Sequence, residues 1–486
     1  MVLALVPVLV AMPSMSDFPG HAARHHIEAF AGRGGPLDRY YVVHWRWIGY
    51  LGTDLPAALL TPWLGAEWAT RLLTAVIAPA TLAAVFALSR AAHGRVTAGA
   101  ALALPLVLAA PYQFGVLSYG IGFALALFAA ASWLSRTRLS VLALAGFALA
   151  ALVVFTAHLV AWLFLVLLVG GFELAASRSL RDLVGRALRA LPLLSPCLPL
   201  LIWRSGQPSE IAYVAGVVKW KLMNFATILR GLWMPLDMAM LAALGVLGVA
   251  ALIMAGGRRL DWRLAVGAGL VALTSLLMPT HMFGGWAADT RLAAAAALVG
   301  FIALGPAAKP GRERALFAAG IALFLVRLAA TSVVWVRENA VLEKRLTLLD
   351  DVPRGSRMGF VVLLGNNCRI PWRIGVEGSM GAYAVIRRDV FTSSLFVHPG
   401  SDIVTFRDPA DNRWDRPASM LFAKCRTATS DLDRVGQLLR DMATADFGTI
   451  WVSGVDAGSV PLPKGYRVVR AIARDVLIGR VPVGPS

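Results

Sequence analysis

The chain has 486 residues, of which 58% are hydrophobic and only 15% are charged, and its mean hydropathy is +0.68. This composition excludes a water-soluble globule of this length and predicts a polytopic α-helical membrane protein. The formal net charge of +18 does not indicate nucleic acid as a partner, because much of the Lys and Arg excess lies in short loops between apolar runs.

The first apolar segment, Met1 to Met15, has no basic start and no small-residue cleavage site, so it does not resemble a cleaved signal peptide. It is shorter than the roughly 20 residues that a membrane-spanning helix needs. We therefore expect the natural chain to begin a few residues earlier.

A mostly polar interval follows, and we interpret residues 16–67 as the first outer loop. It contains the amphipathic run 38–47 and then Asp54. Trp and Tyr side chains in this run suit the headgroup level of a bilayer, which predicts interfacial helices.

Further apolar runs recur along the chain, and with the first segment they give eleven candidate spans. These runs lie near residues 68–90, 96–112, 116–134, 139–156, 158–175, 187–203, 236–256, 264–279, 290–307 and 314–336.

The loops between these runs predict the orientation of the chain. Five loops, at 90–95, 136–138, 178–189, 258–263 and 309–314, together hold fourteen Lys and Arg residues. The opposite hairpins near Pro111 and Thr156 hold none. The positive-inside rule then places the N-terminus in the cytoplasm and the C-terminus outside.

Beyond the membrane region, 1–336, residues 337–486 have the composition of a soluble domain. Residues 357–364, 447–453 and 466–481 predict strands, and residues 430–442 predict a helix. This alternation favours a C-terminal α/β domain outside the membrane, which we expect to be accessory. Cys368 and Cys425 fall in this part, and the sequence leaves open whether they form a disulfide.

Ionisable side chains are concentrated where the first segment ends. The stretch from Met15 to Glu28 holds one Asp, three His, one Arg and one Glu. Such groups are expensive at the edge of a bilayer, so a cluster there predicts a functional site. Asp17 is the candidate catalytic group.

These features resemble the GT-C superfamily of integral membrane glycosyltransferases. The resemblance is carried by Asp17 just beyond the first span, the long first outer loop, about eleven spans and an outer C-terminal domain. The stretches 16–24 and 280–291 are also similar to paired loops of uncharacterised bacterial members. The resemblance implies a polyprenyl-phosphate sugar as donor and an acidic residue of the first outer loop as base.

The residues fit that chemistry independently. A hydroxyl acceptor needs a carboxylate to take its proton, and Asp17 is available for this. The donor phosphate needs cations or hydrogen-bond donors at the membrane surface. The candidate substrate-binding residues are His21, Arg24, His25, His158, Lys219, Lys221, His281, Asp289 and Arg291.

Several of these residues also have a purely structural interpretation. Asp17 before Pro19 is typical of a helix N-cap, and Arg24 could anchor an interfacial helix. Asp289 and Arg291 could form an ion pair at a helix end. His158 could be a hydrogen-bonded packing residue.

Metal binding is a further alternative. Asp17, His21 and His25 are spaced to share one helical face, which could bind a divalent metal or line a sugar-phosphate pocket. Metal-dependent members of the superfamily usually have two closely spaced acids in this loop, and Asp17 has no acidic neighbour before Glu28. The sequence therefore favours a metal-free mechanism without a cofactor.

We conclude from the sequence that the chain transfers a sugar from a polyprenyl-phosphate carrier to a glycan, lipid or protein acceptor on the outer face of the membrane. The alternatives are a transporter or flippase of a lipid-linked saccharide and a non-catalytic subunit of an envelope assembly complex. A transporter would more often show internal repeats and charges near the bilayer midplane.

Overall fold

The computed structural model describes residues 1–136, 138–202, 211–256, 259–282, 285–365, 371–397, 402–424 and 430–481. Cys368, Cys425 and His398 lie outside these ranges. Whether the two cysteines pair therefore stays an open question.

Helices dominate the first two thirds of the chain. In chain order they are α1 (Val6–Val10), α2 (Phe18–Phe30), α3 (Asp54–Leu64), α4 (Ala66–His93), α5 (Ala98–Ala103), α6 (Ala110–Phe114), α7 (Leu117–Leu134), α8 (Val141–Ala157), α9 (Leu159–Ala176), α10 (Leu180–Ala190), α11 (Cys197–Ile202), α12 (Val217–Ala226), α13 (Met234–Met254), α14 (Trp262–Leu277), α15 (Ala288–Ile302) and α16 (Pro310–Leu346). Within the described residues, α4, α7, α9, α13 and α16 are long and apolar enough to cross a bilayer. The prediction of a helical membrane protein is confirmed at this level.

The number of spans is less regular than the sequence predicts. The first segment forms only a short 3-10 turn and α1, and the run at 96–112 is divided into α5, a 3-10 turn and α6. The run at 187–203 is likewise divided between α10 and α11. Proline explains two of these interruptions, because Pro105 and Pro192 each open a 3-10 turn and cannot continue an α-helical hydrogen-bond ladder.

Loops that the sequence places on one side of the membrane do meet at one end of the helical bundle. Nε2 of His93 lies 2.9 Å from the carbonyl of Ile302, and Glu313 accepts from the backbone N–H of Ala98 at 2.8 Å. Arg186, from a third such loop, contacts Glu173 of α9 at 3.2 Å. Which side of the membrane this end faces stays a prediction.

The C-terminal part contains a mixed sheet. The remaining helices are α17 (Tyr383–Arg388), α18 (Arg416–Ser419) and α19 (Asp431–Thr444), and the strands of the whole chain are β1 (Tyr41–Val43), β2 (His281–Met282), β3 (Gly285–Trp286), β4 (Arg357–Leu364), β5 (Phe391–Thr392), β6 (Val404–Phe406), β7 (Met420–Phe422), β8 (Thr449–Ser453), β9 (Tyr466–Ile472) and β10 (Asp475–Arg480). The sheet order is β5-β4-β8-β10-β9, with β7 also paired to β4. β4 is parallel to β5, β7 and β8, whereas β10 is antiparallel to both of its neighbours.

This C-terminal part is joined closely to the first outer loop. β1 pairs with β6, so that Tyr41 lies opposite Phe406. The ring of Phe396 packs against the backbone of Gly20, where a Cβ atom would come within 2.2 Å of the ring. α16 also runs without interruption through the division predicted at residue 337. The C-terminal residues therefore help to hold α2 in place, which composition alone does not reveal.

Candidate active site

Asp17 occupies the N-cap position of α2, where the chain leaves the first apolar segment. Its backbone N–H donates to the carbonyl of Phe114 at 2.9 Å, which fixes the start of the helix against the end of α6. Its side chain makes no capping hydrogen bond and is half-buried. The carboxylate lies within electrostatic range of His21 and Arg291.

Arg291 lies on the first turn of α15 and borders a narrow apolar cleft of about 40 Å³. The cleft is lined mainly by residues of α4, α7 and α15 and by the segment between α5 and α7, and Arg291 is its one charged residue among the described residues. Its side chain makes a long hydrogen bond of 3.4 Å to the carbonyl of Trp286, and no carboxylate of the described ranges lies within salt-bridge distance. Arg291 thus offers a positive charge at the edge of an apolar space.

His158 is buried at the N-terminus of α9, between two tyrosine rings. Its ring centroid lies 4.9 Å from that of Tyr50 and 5.4 Å from that of Tyr119, in edge-to-face geometry. Its Nδ1 atom also accepts from the backbone N–H of Val160 at 3.0 Å, so the residue caps the helix. His158 lies within electrostatic range of Arg291, so the structural and functional interpretations both remain compatible with its position.

The short hairpin of β2 and β3 closes one side of this region. His281 pairs with Trp286, whose ring packs against Phe114 at 6.3 Å between centroids. A Cβ atom on Gly285 would lie 3.5 Å from the hydroxyl of Tyr50. The first outer loop and the 280–291 loop, which the sequence pairs by resemblance, are therefore in contact.

Arg24 and His25 lie about two turns further along α2, and both are buried. The guanidinium of Arg24 contacts Asp54 at 2.6 Å and Asp402 at 3.0 Å. Burial opposes its charge, but these two carboxylates hold the pKa of Arg24 above its usual value. Burial also lowers the pKa of His25 to about 3, which keeps the imidazole neutral near pH 7. Both side chains already have partners within the protein.

Lys221 and Asp289 form a second enclosed cluster. Nζ of Lys221 lies 2.6 Å from Asp289, which also accepts from Trp220 and Asn224 at 3.0 Å each. Asp289 is therefore paired with Lys221, and the alternative of an ion pair with Arg291 is wrong. Lys219, two residues away, is exposed.

Asp17, His21, His158 and Arg291 thus share one region, with the hairpin of His281 beside it. Arg24, His25, Lys221 and Asp289 lie in buried polar clusters, and Lys219 faces outward. A role in binding substrate stays a prediction for each of them.

Sequence reasoning did not find Tyr50 and Tyr119. The sequence gives no functional signal for either tyrosine, because Tyr119 lies inside an apolar run and Tyr50 lies among other aromatic residues of the first outer loop. The backbone around Tyr50 is fixed by the α8–α9 junction, since Leu51 donates to Thr156 at 2.9 Å and Leu159 donates to Gly49 at 2.8 Å. No local sequence pattern predicts this contact between the segment around Tyr50 and the α8–α9 junction.

No protein-family model matches the chain, and no curated protein matches it significantly. Among solved structures, ArnT from Cupriavidus metallidurans bound to undecaprenyl phosphate aligns with 100% of this chain and 97% of its own, with 12% identity and a TM-score of 0.53. The arabinofuranosyltransferase AftD from Mycobacteria aligns with 99% of this chain and 39% of its own, with 16% identity and a TM-score of 0.49. The match to ArnT shows that this chain shares the fold of that structure, and the resemblance is confirmed at the level of the fold.

Proposed function

We propose that the chain is a membrane glycosyltransferase that moves a sugar from a polyprenyl-phosphate donor to a hydroxyl acceptor. The observation that carries this proposal is the position of Arg291 at the edge of an otherwise apolar cleft, with Asp17 within electrostatic range of it. A lipid-borne phosphate combines an apolar chain with a negative head, and this pairing of an apolar surface with one cation suits it.

In the proposed reaction, the acceptor oxygen attacks C1 of the sugar as the bond from C1 to the phosphate oxygen breaks. Asp17 takes the acceptor proton, and the donor leaves as polyprenyl phosphate, so atoms and charge balance. Arg291 stabilises the negative charge that grows on the leaving phosphate. Tyr50, Tyr119 and His158 line the same region and are positioned to orient the sugar.

The similarity to ArnT supports the choice of donor, because that protein was solved with undecaprenyl phosphate bound. The sugar and the acceptor are not implied by the fold. We further propose that transfer occurs on the outer face of the membrane, as the distribution of basic loops predicts. The mechanism uses the charge of Arg291 and assigns no step to a metal.

The test is an Asp17→Asn variant of the full chain reconstituted in lipid vesicles with a panel of radiolabelled polyprenyl-phosphate sugars. We expect transfer to fall by about 10²- to 10⁴-fold, the range for loss of a general base. Insertion into vesicles and the unfolding temperature should remain close to those of the original chain, since the Asp17 side chain caps no helix.

Asp446→Asn is the matched control. This carboxylate is largely exposed in the C-terminal part, and its positive φ of 61° is one that Asn tolerates. Unchanged turnover in Asp17→Asn would reject Asp17 as the base. Translocation without transfer would instead favour a flippase, and inactivity with every donor would favour a non-catalytic subunit.

A further inference from the structure

Three buried side chains behind the candidate active site bring one imidazole and two carboxyl groups together. His25 and Glu28 lie on α2, and Asp54 is the first residue of α3. Their exposed fractions are 0%, 8% and 1%. One ligand atom from each lies within 4.8 Å of the other two.

The hydrogen bonds of His25 determine which ring nitrogen carries its proton. The hydroxyl of Thr70 donates to the carbonyl of Ala66 at 2.7 Å, so its single hydrogen is used within α4. Nδ1 of His25 lies 2.7 Å from the same hydroxyl oxygen and must therefore be the donor in that contact. In a neutral ring this leaves a lone pair on Nε2, which is buried without a hydrogen-bond partner.

The carboxyl group of Glu28 has no strong donor either. Both of its oxygens are buried, and the side chain that shares a hydrogen bond with it is Asp54, itself a carboxyl group. The cation Arg24 lies 3.9 Å away because its guanidinium is directed at Asp54 and Asp402. Nε2 of His25 and the carboxyl group of Glu28 therefore face a carboxylate that Arg24 already pairs, and a positive charge among the three groups would satisfy their free acceptors.

We propose that His25, Glu28 and Asp54 bind one divalent transition-metal ion at this position. The Nδ1–H bond to Thr70 is the outer contact that commonly orients a metal-binding imidazole. In a tetrahedral site, ligand atoms are about 3.4 Å apart, so binding would draw atoms that lie within 4.8 Å of one another together by at most about 1.4 Å. One imidazole and two carboxylates suit Zn²⁺ or Mn²⁺, whereas Mg²⁺ and Ca²⁺ prefer oxygen ligands alone.

This site would be structural and separate from the proposed chemistry. His25 lies eight residues after Asp17 on the same helix, which corresponds to about 12 Å along the axis. The ion would join α2 to α3, and through Thr70 to α4, and so fix the helix whose N-terminus presents Asp17. The proposed site does not depend on sugar transfer. Its ligands also differ from Asp17, His21 and His25, the set that the sequence suggests for a metal.

A proton is the competing occupant. Burial, followed by the negative charge of Asp54, raises the pKa of Glu28 well above its usual range. A protonated Glu28 would donate to Asp54 and hold the cluster together without an ion. If the site binds only a proton, the Glu28→Gln variant should be as stable as the original chain. The amide has the shape of the protonated acid and also donates a hydrogen bond.

The experiment uses the full chain in nanodiscs, stripped with chelator and titrated separately with Zn²⁺ and with Mn²⁺. Bound metal is counted by elemental mass spectrometry, and thermal unfolding is followed with and without each ion. We expect about one equivalent bound and a higher unfolding temperature, with at least a tenfold loss of affinity in Glu28→Gln and His25→Gln. His26→Gln is the control, because His26 is the next residue on α2 but pairs with Asp389.

The proposal is overturned if the original chain binds neither ion saturably and its unfolding temperature does not respond to chelator or metal. Stability of Glu28→Gln equal to that of the original chain would then assign the site to a proton on Glu28. The metal count and the chelator response of the original chain decide the matter even if a variant fails to fold.

Discussion

Two positions of the candidate site carry ionisable side chains in different circumstances. Arg291 borders the apolar cleft and has no carboxylate at salt-bridge distance in the described ranges, with Asp17 at the start of α2 within electrostatic range. About two turns further along α2, Arg24 is enclosed by Asp54 and Asp402. The contrast separates a charge that borders the cleft from a charge that the fold already uses.

The same contrast recurs around α15. Lys221 is buried against Asp289 and two backbone carbonyls, while Arg291 lies two residues beyond Asp289 and faces the cleft. Asp289 and Arg291, two residues apart on the first turn of α15, therefore differ: Asp289 belongs to an enclosed ion pair, and Arg291 borders the cleft. Removing an enclosed charge should cost stability, and removing an available one should cost activity.

Arg24→Met should produce the largest loss of stability. It removes the cation between two buried carboxylates, a change that typically costs about 3–5 kcal/mol. The unfolding temperature in nanodiscs should fall clearly below that of the original chain and of Arg291→Met, which serves as the matched control. Equal unfolding temperatures for the two variants would contradict the division into enclosed and available charges.

Local features of the fold could be predicted from the sequence. The apolar run at 357–364 forms β4 with the predicted bounds, and the helix predicted from Ser430 begins with a capping box between Ser430 and Asp433. Both signals are contained within a few neighbouring residues. Apolar composition does not predict the helix divisions at Pro105 and Pro192, because it takes no account of the backbone N–H that proline lacks.

The partners of Arg24 could not be predicted. Asp54 is 30 residues away in the chain and Asp402 is 378 residues away, and a single sequence gives no measure of such pairings. Charge and spacing therefore predict one layer of ionisable residues around Asp17. They could not distinguish Arg24 from Arg291.

Lys221→Met should have the next largest effect on stability. The loss should be roughly 3 kcal/mol, the upper range for hydrogen bonds to charged groups, and smaller than for Arg24 because Asp289 keeps Trp220 and Asn224 as donors. Lys219→Met, two residues away on the exposed face of α12, should unfold like the original chain. Chemical denaturation of both variants makes the comparison, and a destabilised Lys219→Met would refute it.

Arg291→Met should instead weaken binding of the lipid-borne phosphate. Loss of a charged hydrogen-bond donor costs about 2 kcal/mol, or roughly thirtyfold in KM for the donor substrate. Arg291→Lys should recover part of this loss, since a lysine can still act as a point charge. A change in the unfolding temperature as large as that of Arg24→Met would show that Arg291 is an enclosed residue after all.

His158 is the intermediate case, because it both caps α9 and lies between Tyr50 and Tyr119. His158→Ala should lose about 1 kcal/mol of stability through the lost cap, whereas His158→Asn should retain most of that stability because Asn is a favourable N-cap. If the imidazole also orients the sugar, turnover in His158→Asn should stay low although unfolding is restored. Full recovery of turnover by Asn would assign His158 to the scaffold alone and leave Arg291 as the ionisable residue that borders the cleft.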